Sequence, residues 1–266
     1  MIRREPAAPD ADGAQWILIS QVEHARLSGA LADHWGAAPV VPLVDRDELL
    51  WAIVHHDDGW AAWERSPGVE PDHARPRSFT EMPLDEGLEI WTASITGAAE
   101  HGPLAGYTVA GHFCELLRRY DTGWKHDAEK TAQAERFLAT FDRLQEACFT
   151  AWQARSPSKN TPELAGRALA QLQLFDVLSL WFCCDEATTA DEFETPAGPP
   201  IALSPTGSAA RGEPMAVRLS PWPLTVPALN LEVRGRAVPV RRYESREELA
   251  AVPLQTVQLR WRLGKS

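Results

Sequence analysis

Four residues of this chain, two histidines and two aspartates, sit on faces where polar side chains need a reason to be. The run Ile53-Val54-His55-His56-Asp57-Asp58-Gly59-Trp60 puts a His-Asp pair at the end of an apolar segment. At helical spacing, Leu49, Ile53 and His56 fall at i, i+4 and i+7, while Leu50, Ile53, Val54 and Asp57 fall at i, i+3, i+4 and i+7. Both polar residues therefore point with the core. A buried carboxylate is costly unless it is paired, hydrogen-bonded or bound to a cation. His24 shares a helical face with Leu27, Ser28, Leu31 and Trp35, and Asp176 lies in a stripe with Leu169, Leu172, Gln173, Ser179, Leu180 and Cys183. His112, at the edge of the run Val109–Leu117, is a further candidate that can serve a second ion or a substrate. All eight histidines lie between residues 24 and 126, so any histidine chemistry belongs to the first half of the chain.

A histidine, a His-Asp dyad about thirty residues later and a lone helical aspartate, in that order, resemble the HD superfamily of metal-dependent phosphohydrolases. The resemblance implies His24, His56, Asp57 and Asp176 as metal ligands, with His112 a loose match to the intermediate histidine of two-metal members. Where the superfamily frequently carries His-Asp-x-Gly-Lys, this chain has His56-Asp57-Asp58-Gly59-Trp60, with tryptophan in place of the lysine that meets phosphate. Over nearly its full length the chain also resembles a bacterial family, Domain of Unknown Function family 3891. That likeness is carried by Met1-Ile2-Arg3-Arg4, Gln21-x-x-His24-Ala25-x-Leu27-Ser28-Gly29, His56-Asp57-x-Gly59-Trp60-x-x-Trp63-Glu64, Asp176-x-Leu178-Ser179-Leu180 and Pro221-Trp222-Pro223.

Two imidazoles and two carboxylates leave open positions on an octahedral ion, which suits a divalent iron, manganese or magnesium better than a closed structural zinc. The expected activity is a metal-dependent hydrolase that activates water against a small, phosphorylated substrate, with His112 or Asp58 moving a proton or orienting the substrate. Trp60 and Trp63 read as packing residues first and as a substrate wall second. An iron-dependent oxygenase is the variant on the same scaffold, since some members of the resembling superfamily use their metals for oxidation. The alternative from another class is a non-catalytic protein that binds a small ligand or partner, in which the same four side chains satisfy one another as a buried polar network.

The elements that must position these residues are mainly helical. A helix from Asp45 to His56, with Asp45 as cap, follows the His24 helix, and others are expected over Glu89–Glu100, Ala105–Tyr120, Ala128–Arg155 and Pro162–Cys184, the last capped by Thr161 with Pro162 at its first position. After residue 195 prolines and glycines break the pattern, and short alternating runs follow from Met215 onward. The expected fold is mainly α (α+β), an HD-like helical core with a small antiparallel sheet from the C-terminal segment, Trp16–Ser20 being available to complete it. Residues 1–195 would form the core, 196–214 an irregular linker, and 215–266 a β-rich segment packed on the core.

Composition narrows the function classes. A formal net charge of −11 argues against a general nucleic-acid binder, and no apolar run reaches the roughly 18 residues of a membrane span. The charge is uneven: residues 211–266 carry ten Lys and Arg against five Glu, and the rest of the chain is strongly acidic. Such segregation lets the two parts attract each other, forms a local anion site, or supplies a homodimer contact. Four cysteines without a C-x-x-C pair fit reduced thiols in the cytoplasm.

Overall fold

The computed structural model of the protein describes residues 1–6, 8, 9, 11–119, 124–184, 189–207 and 213–265. Strands β1 (Ile2–Arg4) and β2 (Gln15–Ile19) lead into helix α1 (Gln21–Asp33). The switch from strand to helix is made by Ser20, extended in backbone, whose Oγ accepts the Val22 and Glu23 amides at 3.1 and 3.4 Å. Glu64 completes this turn by accepting both the Ser20 hydroxyl and the Gln21 amide at 2.6 Å.

Helix α2 (Arg46–His55) follows, then the short α3 (Trp60–Glu64) and a two-residue hairpin of β3 (Val69–Glu70) and β4 (Arg75–Pro76). Helices α5 (Pro103–Arg119), α6 (Ala128–Arg155) and α7 (Pro162–Cys183) agree with the sequence expectation, although Tyr120, expected to end α5, lies outside the described residues, and α4 (Leu84–His101) begins five residues before the expected Glu89. Thr161 caps α7 as expected, with Pro162 opening it. Asp45 precedes α2 but does not cap it through its side chain. It adopts φ of +43°, and its Oδ2 accepts the Trp152 indole N–H at 2.9 Å instead.

The remaining elements are β5 (Asp191–Phe193), β6 (Ile201–Pro205), β7 (Met215–Ser220), β8 (Ala228–Pro239), the short α8 (Arg246–Ala250) and β9 (Gln255–Gly264). Here the structure corrects the expected small antiparallel C-terminal sheet. The strands form one seven-stranded mixed sheet in the order β1-β2-β8-β9-β7-β6-β5, drawing on both ends of the chain. The twelve-residue β8 explains this: its first ten residues pair with β9 from Ala228↔Gly264 to Ala237↔Gln255, while its last five pair on the other edge with β2 from Ile19↔Gly235 to Gln15↔Pro239. β9 lies antiparallel to β8 and parallel to β7, and hairpin pairings then add β6 and β5. β6 was hidden in sequence because its five residues stand among Pro196, Pro199, Pro200 and Pro205. It becomes a strand by pairing with β7, not from its own propensity.

One face of the sheet is apolar. Val217, Leu219, Leu231, Val233, Trp261 and Leu263 are buried, alternating with exposed Arg218, Glu232, Arg234, Arg260 and Arg262. The inner face joins the same core as Ile53, Phe113 and Phe175 of the helices, and the Trp261 ring meets Phe182 of α7 edge-on at 5.4 Å. Within the helical layer α1 packs on α2 and α7, and α5 packs on α2, α6 and α7. Gly29 permits the approach of α1 to α2, for a methyl there would overlap Cγ2 of Val54. Among the described residues no helix is long and apolar enough to cross a membrane, and all four cysteines are free.

Candidate metal centre

The four residues singled out by their burial converge on one point. One ligand atom from each of His24, His56, Asp57 and Asp176 lies within 4.8 Å of all the others. His24 comes from α1, His56 and Asp57 from the turn that ends α2, and Asp176 from the middle of α7. That turn is wound tightly, with Asp58 N–H to His55 O at 3.1 Å and Trp60 N–H to Asp57 O at 3.0 Å, so the chain passes into α3 almost without leaving helical geometry. Gly59 is required there. A Cβ would collide with the Ile90 carbonyl, and the Gly59 amide donates to Ser94 Oγ at 3.0 Å.

The hydrogen bonds behind the histidines fix how each ring faces the centre. His56 Nδ1 is 2.9 Å from the Ile53 carbonyl, which can only accept, so Nδ1 carries the proton. Ser179 Oγ donates to the Asp176 carbonyl at 2.9 Å and is 2.6 Å from His24 Nδ1, with Ser28 Oγ donating to it at 2.8 Å. Once the Ser179 proton is spent on that carbonyl, its oxygen accepts from His24 Nδ1–H. Both rings therefore present Nε2 inward. Its neighbours are carboxylate oxygens: His24 Nε2 is 3.3 Å from Asp57 Oδ2 and 3.1 Å from Asp176 Oδ1, and His56 Nε2 is 3.4 Å from each.

Proximity does not produce hydrogen bonds here. Neither Nε2 has a partner in hydrogen-bonding geometry, although both atoms are buried. Two unpartnered ring nitrogens, each 3.1–3.4 Å from two carboxylate oxygens, are the donor set that a shared ion would take. Burial opposes charge on His56, yet Asp57 and Asp176 beside it raise its pKa to about 9 in the ion-free cluster. His24 is raised for the same reason against the same opposition from burial. Burial would raise Asp57 and Asp176, but the imidazoles hold Asp57 below the usual carboxylate range and Asp176 well below it.

The other residues expected at the site are placed as follows. His112, buried on α5, approaches the cluster with Nε2 3.9 Å from Asp176 Oδ2 and its ring edge-on to His56 at 5.6 Å. Its Nδ1 has no hydrogen-bond partner, and burial lowers its pKa, keeping it neutral. Asp58 is not brought to the cluster. It is half exposed and pairs with His55 Nδ1 at 2.7 Å, and that ring stacks on Trp51 at 4.4 Å. Trp60 is buried with its ring edge-on to Trp63 at 5.7 Å, and the Trp63 indole donates to Glu86 Oε2 at 2.8 Å. Ser179, Ser28 and the Ile53 carbonyl were not read as parts of a site. A signal for the serines existed, since Ser28 is four residues after His24 and Ser179 three after Asp176 on inward faces.

The cluster forms a potential site for a divalent metal, HD-like in ligand types and order, and consistent with a catalytic, metal-dependent hydrolase. No curated protein and no solved structure matches the chain. Residues 9–240 match the family described as "Protein of unknown function (DUF3891)", and since this covers most of the chain, the protein belongs to that family.

Proposed function

We propose that the protein hydrolyses a small compound at a divalent ion held by His24, His56, Asp57 and Asp176, with phosphate esters as the first substrate class. The observation that carries this reading is the pair of buried Nε2 atoms without hydrogen-bond partners, clustered with two carboxylates so that all four ligand atoms lie within 4.8 Å of one another. When bound, an iron, manganese or magnesium ion supplies Lewis acidity that lowers the pKa of water. The chain's own residues do the rest. Ser179 and the Ile53 carbonyl hold the two imidazoles in one tautomer and one orientation. Asp176 is the most open of the four, with 12% of its side chain exposed, and marks the side from which a substrate enters. His112, neutral and with Nε2 3.9 Å from Asp176 Oδ2, is the group that takes or returns a proton.

A second reading, an iron-dependent oxygenase, is favoured by one observation. Trp60 occupies the position where the resembling superfamily frequently has lysine, and among the described residues no Lys or Arg forms an ion pair with Asp57 or Asp176. The test is to load the protein with iron, manganese or magnesium and follow phosphate release from a panel of mono- and diesters beside oxygen consumption. Phosphate release that disappears in Asp57→Asn, and falls in His112→Gln with metal content unchanged, supports the hydrolase. Oxygen consumption without phosphate release supports the second reading. Loaded protein inactive in both assays leaves the ligand-binding alternative.

A further inference from the structure

A cleft lies at the opposite ends of two of the helices that carry the cluster. It has a volume of about 490 Å³ and is lined by the segment Pro42–Asp45 ahead of α2, the last turn of α6, and the turn and first residues leading into α7. Pockets of this size accommodate small-molecule ligands. From Asp45 to His56 the chain advances eleven residues, or roughly 16 Å of helix, so the cleft is separate from the metal centre.

Its charge runs against that of the molecule. In a chain of net charge −11 the lining carries Arg155, Lys159 and Arg167 against one carboxylate, Asp45. Asp45 is already engaged with the Trp152 indole, and Arg155 pairs with Glu48 Oε2 at 2.6 Å. The side chains of Lys159 and Arg167, by contrast, make no hydrogen bond or ion pair among the described residues. Lys159 sits on an ordered turn: its amide donates to Ser156 O at 3.0 Å, the Asn160 amide to the same oxygen at 2.8 Å, and Asn160 Nδ2 to Trp152 O at 2.7 Å. The positive end of the 22-residue α7 opens onto the same space, its first-turn Glu163 being the acidic group nearby. Leu43, Val44 and buried Trp152 give the wall an apolar part.

We propose that this cleft binds a small organic anion, a compound carrying a phosphate or several carboxylates beside an apolar portion. The anionic group is held by Lys159 and Arg167, with Arg155 able to turn from Glu48 toward it. The proposal uses none of the four cluster residues and does not depend on what they catalyse. Buried Gln171 ties the cleft to α7, accepting the Val44 amide and donating to Pro42 O, each at 3.0 Å, so the rim is fixed before a ligand arrives.

Calorimetric titration with inorganic pyrophosphate tests this on the whole protein. Three forms are compared: wild type, Lys159→Gln/Arg167→Gln, and Lys130→Gln/Arg136→Gln, which removes the same charge from the exposed face of α6. The expected result is saturable binding by wild type, weakened about tenfold or more in the first variant and unchanged in the second. Circular dichroism establishes that all three are folded. No saturable binding by wild type overturns the proposal, as does equal weakening in both variants, which would mean diffuse attraction. Full binding retained by Lys159→Gln/Arg167→Gln also overturns it, by assigning pyrophosphate to another place, the metal centre included.

Discussion

Metal uptake at the cluster exchanges protons for an ion. Without the ion, burial opposes charge on both rings, but Asp57 and Asp176 raise the pKa of His24 and lift that of His56 to about 9, so His56 is protonated near pH 7. A divalent ion takes neutral imidazoles, so binding near pH 7 is expected to release at least the proton of His56. Calorimetry in buffers of different ionisation enthalpy measures that number, and a value near zero would contradict the assignment of both Nε2 atoms. The pH dependence of stability follows with a definite sign. The folded pKa of His56, about 9, lies above its ordinary 6.5, so its contribution is complete below 6.5 and is lost as pH rises through 9. The ion-free protein should therefore lose thermal stability across pH 6.5–9, and the metal-loaded protein should not. Ser179→Ala leaves His24 Nδ1–H without its acceptor and should weaken metal affinity about 10- to 100-fold. An unchanged affinity in a titration would mean that Ser179 does not orient the ring. The four cluster residues were legible in sequence because acids and histidines at inward helical positions are expensive and rare. The backing groups were not, because an inward serine or a helix carbonyl is ordinary until the ring nitrogen it meets is known.

At the scale of elements, two glycines set the geometry by what they leave out. Gly29 lets α1 approach Val54 of α2, and Gly59 lets the turn after Asp57 lie against Ile90 and Ser94 of α4. Gly59→Ala meets backbone, which cannot turn aside, and should cost about 1–3 kcal/mol in denaturant unfolding. Gly97→Ala, in α4 with open space around it, should instead stabilise by about 0.5–1 kcal/mol. If the two substitutions behaved alike, close packing at Gly59 would not be what the position requires. The helices were readable from their 3.6-residue periods and from Thr161-Pro162, whereas the sheet was misjudged. Its order depends on partners far apart in sequence: β2 is joined to β8 across more than two hundred residues, and β5 and β6 exist through the strand each lies beside.

For the whole molecule, the helical layer and the inner face of the sheet share one apolar core that runs from Ile53 and Phe175 to Leu231 and Trp261. Residues 1–195 and 215–266 should consequently unfold in a single transition, seen together by far-ultraviolet dichroism and tryptophan fluorescence. Two separated transitions would show that the C-terminal strands fold on their own. The segregated charge of the sequence takes shape as arginines on the sheet's outer face, Arg218, Arg234, Arg260 and Arg262, opposite the face that meets the helices. The proposed hydrolysis depends on an ion held between α1, α2 and α7. The most direct measurement is the metal content of purified protein by mass spectrometry, wild type beside Asp57→Asn and Asp176→Asn, with circular dichroism showing that all three are folded. About one equivalent of iron, manganese or magnesium per chain, lost in both variants, is the predicted result. Folded wild type that retains no metal, and takes up none when it is supplied, would contradict the account and leave His24, His56, Asp57 and Asp176 as a buried polar network.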